Sequence, residues 1–204
     1  MARKQYDSYQ YEDPDNIYTY PNSNVLINIL DEQDFEKLQQ AEYRMVASQV
    51  LKLIAKPIEV RSMRDILKIH EFLFQDLYWW AGKYRKVNIS KQGHAFMAMQ
   101  LFGTAESYMN SLLQDYYKNA NTRDEIIKHL ALILDNENYL HPFREGNGRT
   151  QREVIRVLGL AKGYDSEINI EFDDEIYNLY MDGTVHSDIK LLEQLFDKIL
   201  VKLV

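Results

Sequence analysis

Twelve residues, His141 to Arg152, constrain the fold of this chain more than any other stretch; they read His-Pro-Phe-Arg-Glu-Gly-Asn-Gly-Arg-Thr-Gln-Arg. Pro142 and the Gly146-Asn147-Gly148 triplet are turn residues, and an apolar period follows from Val154 to Leu160. The stretch therefore predicts a loop that opens a helix. Because the first N–H groups of a helix lack intrahelical partners and glycine allows close approach to them, we expect an anion site here.

Charged side chains of three kinds accompany this predicted anion site. Arg149, Arg152 and Arg156 are spaced to share one helix face, and guanidinium groups bind phosphate oxygens in pairs. Glu145 offers a carboxylate of the kind that Mg²⁺ uses beside nucleotide phosphates, and His141 offers a base that titrates near neutral pH. The set predicts phosphoryl or nucleotidyl transfer, although a structural loop with solvated arginines is the simpler alternative. Neither a Walker loop nor a dinucleotide-binding fingerprint occurs in the chain.

The same twelve residues resemble the signature of the Fic (Fic/Doc) family, H-P-F-x-[D/E]-G-N-G-R-x-x-R, at every specified position. The resemblance implies a protein adenylyltransferase, which moves AMP from ATP to a Ser, Thr or Tyr hydroxyl of a target protein. It implies that His141 takes the hydroxyl proton, that Glu145 holds Mg²⁺ and that Phe143 is buried to fix the loop. The phosphate-binding residues that it implies are Gly146, Asn147, Gly148, Arg149 and Arg152.

Two alternatives to AMP transfer remain open at this point. The domain could be a non-catalytic nucleotide-binding or protein-binding module of the same fold, or a transferase that uses another nucleotide or the γ-phosphate. Kinase-type relatives carry Lys where Gly148 stands, which argues against transfer of the γ-phosphate.

Regulation and partners are also implied by the resemblance. Many family members are inhibited by a helix with the motif [S/T]-x-x-x-E-[G/N], and here only Ser8 and Glu12 approach it, with Asp13 at the final position. We therefore expect the inhibitory helix to come from a separate small antitoxin protein, as in toxin–antitoxin pairs. The resemblance to such toxins suggests a topoisomerase subunit as the target.

Composition limits the other classes of function. A chain of 204 residues with 46% hydrophobic content suits a single domain over residues 1–204, and a net charge of −7 disfavours direct nucleic-acid binding. The chain has no cysteine, and we find neither a signal-peptide core nor an apolar run of membrane-spanning length. We expect a bacterial cytoplasmic protein without membrane attachment.

Hydrophobic periodicity predicts a mainly α fold, a Fic-type helical domain of about seven helices with one β-hairpin flap over the active site. Residues 123–139 are apolar around much of the circumference and should form the buried central helix. Residues 1–30 are expected to form an irregular arm, and 191–203 a final helix. We assign His70 and the aromatic cluster of residues 72–80 to the core.

The hairpin is predicted over residues 83–100, where Tyr84, Val87 and Ile89 alternate with polar residues before a turn at Gln92-Gly93. It resembles the Fic flap, which holds the target by strand addition. An uncovered strand edge suits that role, because it is a template for pairing. The residues expected to clamp the target are Ile89, Ser90, Lys91, Gly93, His94 and Phe96.

Overall fold

The computed structural model describes residues 9–12, 17–91 and 94–203, and leaves the side chains of residues 9–12, 91 and 94 undescribed. Seven α-helices make up most of this part of the chain, which confirms the mainly α prediction. They are α1 (Phe35–Ala55), α2 (Met63–Phe74), α3 (Phe102–Asn119), α4 (Arg123–Leu140), α5 (Asn147–Ala161), α6 (Asp174–Val185) and α7 (Ile189–Ile199).

Short strands form two small antiparallel sheets. The first has the order β1 (Tyr9–Glu12), β2 (Asn88–Lys91) and β3 (His94–Ala95), with β2 in the middle. The second pairs β4 (Tyr164–Asp165) with β5 (Val201–Lys202). A single 3₁₀ turn, Met99–Leu101, leads from the first sheet into α3.

The central helix is α4, as the sequence predicted. It begins with a capping box, in which the Thr122 hydroxyl accepts the Glu125 N–H and the Glu125 carboxylate accepts the Thr122 N–H. Leu130 and Leu134 on it are fully buried. Because α4 packs against α3, α5, α6 and α7, it fixes where its C-terminal end delivers the signature loop.

An aromatic cluster fills the core between α2 and the first sheet. The Tyr78 and Trp80 rings stack with centroids 4.5 Å apart, and the Tyr18 ring meets Trp80 edge-on at 5.7 Å. Trp79 differs from the predicted core assignment, since its ring is half exposed and stacks on Tyr18 from outside.

The hairpin is shorter than the predicted 83–100, because the chain before Asn88 bonds to the signature loop and not to a strand. The Arg85 N–H donates to the Pro142 carbonyl at 2.8 Å. The prediction of an irregular arm over residues 1–30 is wrong for β1, which pairs with β2 from Tyr9 opposite Lys91 to Glu12 opposite Asn88. The tyrosines of β1 favour strand formation, and the edge of β2 offers a pairing partner. The sequence around β1 has no alternating pattern that would have predicted this strand.

The final helix ends at Ile199 and not at residue 203, because β5 turns back to pair with β4 and the Leu203 N–H donates to the Gly163 carbonyl. Among the helices of the described ranges, none is long and apolar enough to cross a membrane.

Replacing Leu134 by alanine should test the central position of α4. We expect the free energy of unfolding to fall by about 2–5 kcal/mol, because the cavity lies among fully buried neighbours. Leu132→Ala, at a half-buried position of the same helix, is the matched control and should cost less. Urea unfolding followed by circular dichroism measures both, and equal losses would contradict the central placement.

Candidate functional site

The C-terminal end of α4 presents His141 in an unusual backbone conformation. Its φ is 43° and ψ 61°, left-handed values that few residues other than glycine adopt, and its N–H still donates to the Glu137 carbonyl at 3.0 Å. The ring Nδ1 lies 3.2 Å from the Asn138 carbonyl oxygen. Because a carbonyl can only accept, Nδ1 carries the proton and Nε2 is the basic nitrogen.

The flap covers the other side of this imidazole. The Phe96 ring, just after β3, stacks on the His141 ring with centroids 3.9 Å apart, and the Phe96 N–H donates to the Ile89 carbonyl across the hairpin. The histidine is therefore held between α4 and the flap.

The signature loop folds around His70, a core residue of α2. The His70 ring stacks on Phe143 at 3.7 Å; its Nε2 donates to the Glu145 carbonyl and its Nδ1 accepts the Gly82 N–H. Burial lowers the pKa of His70 to about 3, so the ring is neutral, as these two bonds require. The core assignment of His70 is confirmed, and Phe143 is fully buried as expected.

The start of α5 is shaped by Gly146 and Asn147. The Asn147 side chain accepts the Phe143 N–H and donates to the Phe143 carbonyl, which closes the loop. Gly146 has φ 81°, and a Cβ on it would lie 2.4 Å from the Phe74 ring. The Thr150 N–H donates to the Gly146 carbonyl at the start of α5, and the N–H groups before Thr150 have no intrahelical acceptor. Such free N–H groups at a helix start are chemically suited to an anion.

The three signature-helix arginines have different surroundings. Arg149 pairs with Glu42 of α1 at 2.6 Å and lies 3.5 Å from Glu145. Arg156 pairs with Glu153 at 2.7 Å, so it does not join the other two in a phosphate cradle. Arg152 lies over the Tyr180 ring at 5.9 Å.

Glu42 is itself held in place, because the Tyr78 hydroxyl donates to its second carboxylate oxygen. The charge of Arg149 is thus already shared with two carboxylates.

A cavity of 420 Å³ opens beside His141, a size typical of small-molecule sites. Of the predicted site residues it brings together His141, Gly148, Arg152 and Phe96; Glu145, Asn147 and Arg149 do not line it. The remaining walls come from β3, from the end of α4, from α5, from the segment before α6 and from α6 with the turn after it: Ala95, Asn138, Tyr139, Gln151, Ile170, Tyr180, Met181, Thr184, Val185, His186 and Ser187.

A buried carboxyl lies beneath this cavity. Glu137 on α4 is almost fully buried, and neither of its oxygens has a hydrogen-bond partner in the described part of the chain. Burial raises its pKa to about 8, so the group is mostly protonated at neutral pH. The Tyr180 hydroxyl, whose pKa is raised by burial, donates to Gln151 nearby at 3.3 Å.

Glu145 is the residue predicted to hold a metal. No group of three or more His, Asp or Glu side chains that could hold an ion occurs within the described residues. The Gly146 N–H donates to Oε1 of the Glu145 side chain, and Arg149 lies near the same oxygen. A single carboxylate suits Mg²⁺ that is held mainly by phosphates.

The predicted clamp residues are only partly described. The Ile89 side chain is buried, and it can contribute to target binding through its backbone alone. Ser90 is half-buried, whereas Gly93 and the side chains of Lys91 and His94 lie outside the described residues. Since β2 has a strand on each side, strand addition along Ile89 to Lys91 would first require β1 to leave.

Sequence reasoning missed Arg85, Glu42 and the contacts of His70. Arg85 is buried and donates from Nε to the His141 carbonyl at 2.8 Å. A basic residue inside an alternating segment gives no sign of burial, so no local pattern could have identified it.

The described part of the chain is thus a mainly helical domain in which an imidazole at the end of one buried helix lies close to the N–H groups at the start of the next. The chain belongs to the Fic/DOC family, whose sequence profile matches residues 61–158. It is 34% identical over 151 residues to "Probable protein adenylyltransferase Fic" of Salmonella typhimurium (strain LT2), covering 72% of this chain and 74% of that protein.

Two further comparisons agree with this family. The protein of the same description from Escherichia coli (strain K12) is 29% identical over 186 residues, which cover 89% of this chain and 90% of the relative. Among solved structures, BepC from Bartonella tribocorum with bound AMPPNP superposes with a TM-score of 0.79 at 18% identity, covering 92% of this chain and 97% of that one. The structural likeness shows the shared fold.

Glu137→Gln should change how stability depends on pH. The pKa of Glu137 is about 8 in the native state and about 4.5 in the unfolded chain. Between these pH values the unfolded chain loses the Glu137 proton while the native state keeps it, so the free energy of unfolding falls as pH rises. The variant lacks this loss, and its stability relative to wild type should therefore improve across that range, by at most about 1.4 kcal/mol per pH unit.

Urea unfolding at several pH values measures this difference, and Glu36→Gln at an exposed position of α1 is the surface control. Parallel curves for the wild type and Glu137→Gln would show that the carboxyl is not kept protonated by burial.

Proposed function

We propose that this protein transfers AMP from ATP to a Ser, Thr or Tyr hydroxyl of a target protein. The observation that carries the proposal is the position of His141: its Nδ1 is committed to Asn138, and it lines one cavity with Gly148 and Arg152 at the start of α5. Its relatives described as protein adenylyltransferases and the AMPPNP bound to a protein of the same fold support ATP as the substrate.

In this reaction the target hydroxyl oxygen attacks the α-phosphorus of ATP. The bond from that phosphorus to the bridging oxygen of the β-phosphate breaks, pyrophosphate leaves, and the hydroxyl proton passes to Nε2 of His141. Phosphate oxygens bind at the positive end of α5, where they accept hydrogen bonds from the N–H groups of Asn147 to Arg149 and from the Arg152 guanidinium. These roles require no movement of the loop that His70 and Asn147 fix.

Glu145 is the residue that would hold Mg²⁺ in this proposal. When bound, the ion neutralises charge on the phosphates. The role proposed for Arg149 is to neutralise the phosphates as well, in competition with its existing pairing to Glu42.

The flap supplies the proposed binding surface for the target. Phe96 lies against the base, so a target segment that pairs with the flap after β1 has left brings its hydroxyl towards His141.

Label transfer in bacterial lysate tests the reaction. With ATP labelled at the α-phosphate we expect labelled protein, and with label at the γ-phosphate none. His141→Ala should lower transfer by at least about a hundredfold, a typical contribution of a general base. His129→Ala is the matched control, because His129 pairs with Asp115 on the surface of α3 and α4.

Transfer of the γ label alone would replace the proposal by a kinase. ATP binding without transfer of either label, in a preparation free of inhibitor, would favour a non-catalytic module.

We also propose that the protein is the toxin of a bacterial, cytoplasmic toxin–antitoxin pair. A second cavity of 430 Å³ lies between α1 and the segment before α6, and Arg149 and Arg152 line it together with apolar side chains. Several of these apolar side chains are exposed: Tyr43, Leu51, Ile54 and Phe172. The arrangement suits an amphipathic helix whose Glu pairs with Arg152. The segment from Ser8 to Glu12, which approaches the inhibitory motif, falls largely outside the described residues.

Expression of the chain alone should arrest bacterial growth, and His141→Ala should restore it, because toxicity requires transfer. A labelled topoisomerase subunit in the arrested cells is the expected target. Normal growth despite strong label transfer in lysate would contradict the toxin role while leaving the enzymatic proposal intact.

A further inference from the structure

Arg85 lies at the root of the flap and donates to backbone carbonyls in three different segments. Its Nε donates to the His141 carbonyl at 2.8 Å, its Nη1 to Val87 at 2.5 Å and its Nη2 to Met97 at 2.5 Å. Its own backbone N–H donates to the Pro142 carbonyl at 2.8 Å. One side chain therefore joins the base to the chain on both sides of the hairpin.

The guanidinium is buried and, in the part of the chain that the structure describes, pairs with no carboxylate. It lies over the Phe102 ring, with the centroid 4.8 Å from Cζ. Burial lowers the pKa of Arg85 to about 10, so the side chain keeps its charge at neutral pH. A buried charge that only carbonyls compensate is costly to stability, which points to a positional role.

The backbone of His141 is left-handed, a conformation that persists where surrounding contacts fix it. Three of the hydrogen bonds of His141 contribute to its orientation: its backbone N–H donates to Glu137, its ring Nδ1 donates to Asn138, and its carbonyl accepts from Arg85. The first two belong to α4 alone. Only the Arg85 bond, among these three, connects the histidine to the flap backbone.

The Arg85 guanidinium donates to the backbone on both sides of the flap. Val87 precedes β2 and Met97 follows β3, and the Met97 N–H also donates to the Tyr139 carbonyl at the end of α4. Phe96, between the two, stacks on the His141 ring. A shift of either side of the hairpin must therefore alter the bonds that hold the His141 carbonyl.

We propose that Arg85 is a positioning residue that aligns His141 for proton abstraction and couples this alignment to the flap that binds the target. The inference rests on the proposed function, in which His141 is the base. Lysine cannot replace the fork, because a single ammonium lacks the planar set of donors with which the guanidinium binds three carbonyls.

The test compares Arg85→Lys and Arg85→Gln with Lys86→Ala, which removes an exposed cation from the adjacent position. Initial rates of α-label transfer into lysate protein are measured at saturating ATP, and the Kd for ATP is measured separately by calorimetry. We expect both Arg85 variants to lose about 10- to 100-fold in rate, as small misplacements of catalytic groups do, with the Kd within about threefold of wild type. Lys86→Ala should keep its rate.

Ring-nitrogen NMR of the histidines provides a readout that general destabilisation would not give. In Arg85→Lys the His141 Nδ1 and Nε2 signals should shift towards a mixture of tautomers, whereas those of His129 should stay unchanged. A folded variant with a rate within twofold of Lys86→Ala would overturn the proposal, as would equal losses of rate and of ATP affinity.

If neither Arg85 variant folds, hydrogen exchange in the wild type decides the question. The Arg85 Nε–H should exchange far more slowly than that of Arg64, which is exposed on α2. Equal exchange rates would overturn the proposal. His141→Ala separates the two hypotheses: full activity in that variant removes the base assignment itself, whereas a loss there combined with an active Arg85→Lys removes only the role of Arg85.

Discussion

The structure depends on one neutral imidazole at the meeting point of three segments. His70 belongs to α2, accepts a hydrogen bond from Gly82 at the root of the flap and donates one to Glu145 in the signature loop. A charged ring could not accept from Gly82, so the burial that depresses its pKa also preserves the geometry. Phe143 lies flat on the same ring. The signature loop thus packs directly on the hydrophobic core.

The arginines of α5, next to this loop, differ in their partners. Glu42 and Glu153 each neutralise an arginine of α5, and both acids come from helices that also pack on the core. In a chain of net charge −7, local cations of this kind serve a small anionic ligand better than a polyanion. Arg152 lines both cavities. Under the two proposals above, a phosphate and an inhibitory carboxylate would compete for its guanidinium.

The sequence was sufficient to predict the helices and the signature loop, because both follow local rules. Periodicity located α4, and the turn residues located the start of α5. The contacts of Arg85 with Met97 and of Arg149 with Glu42 join distant positions, and no helical or strand period encodes them. β1 was missed for the same reason, since its partner strand lies far along the chain.

The bond between His141 Nδ1 and the Asn138 carbonyl has a consequence for turnover. In the proposed reaction the hydroxyl proton arrives at Nε2 and converts the ring to imidazolium. Because Nδ1 keeps its own proton for Asn138, the ring returns to the neutral state by releasing the proton from the same nitrogen that received it. Proton entry and exit therefore share one route through the cavity, and the base is reset only when that route is open to the departing pyrophosphate or to water.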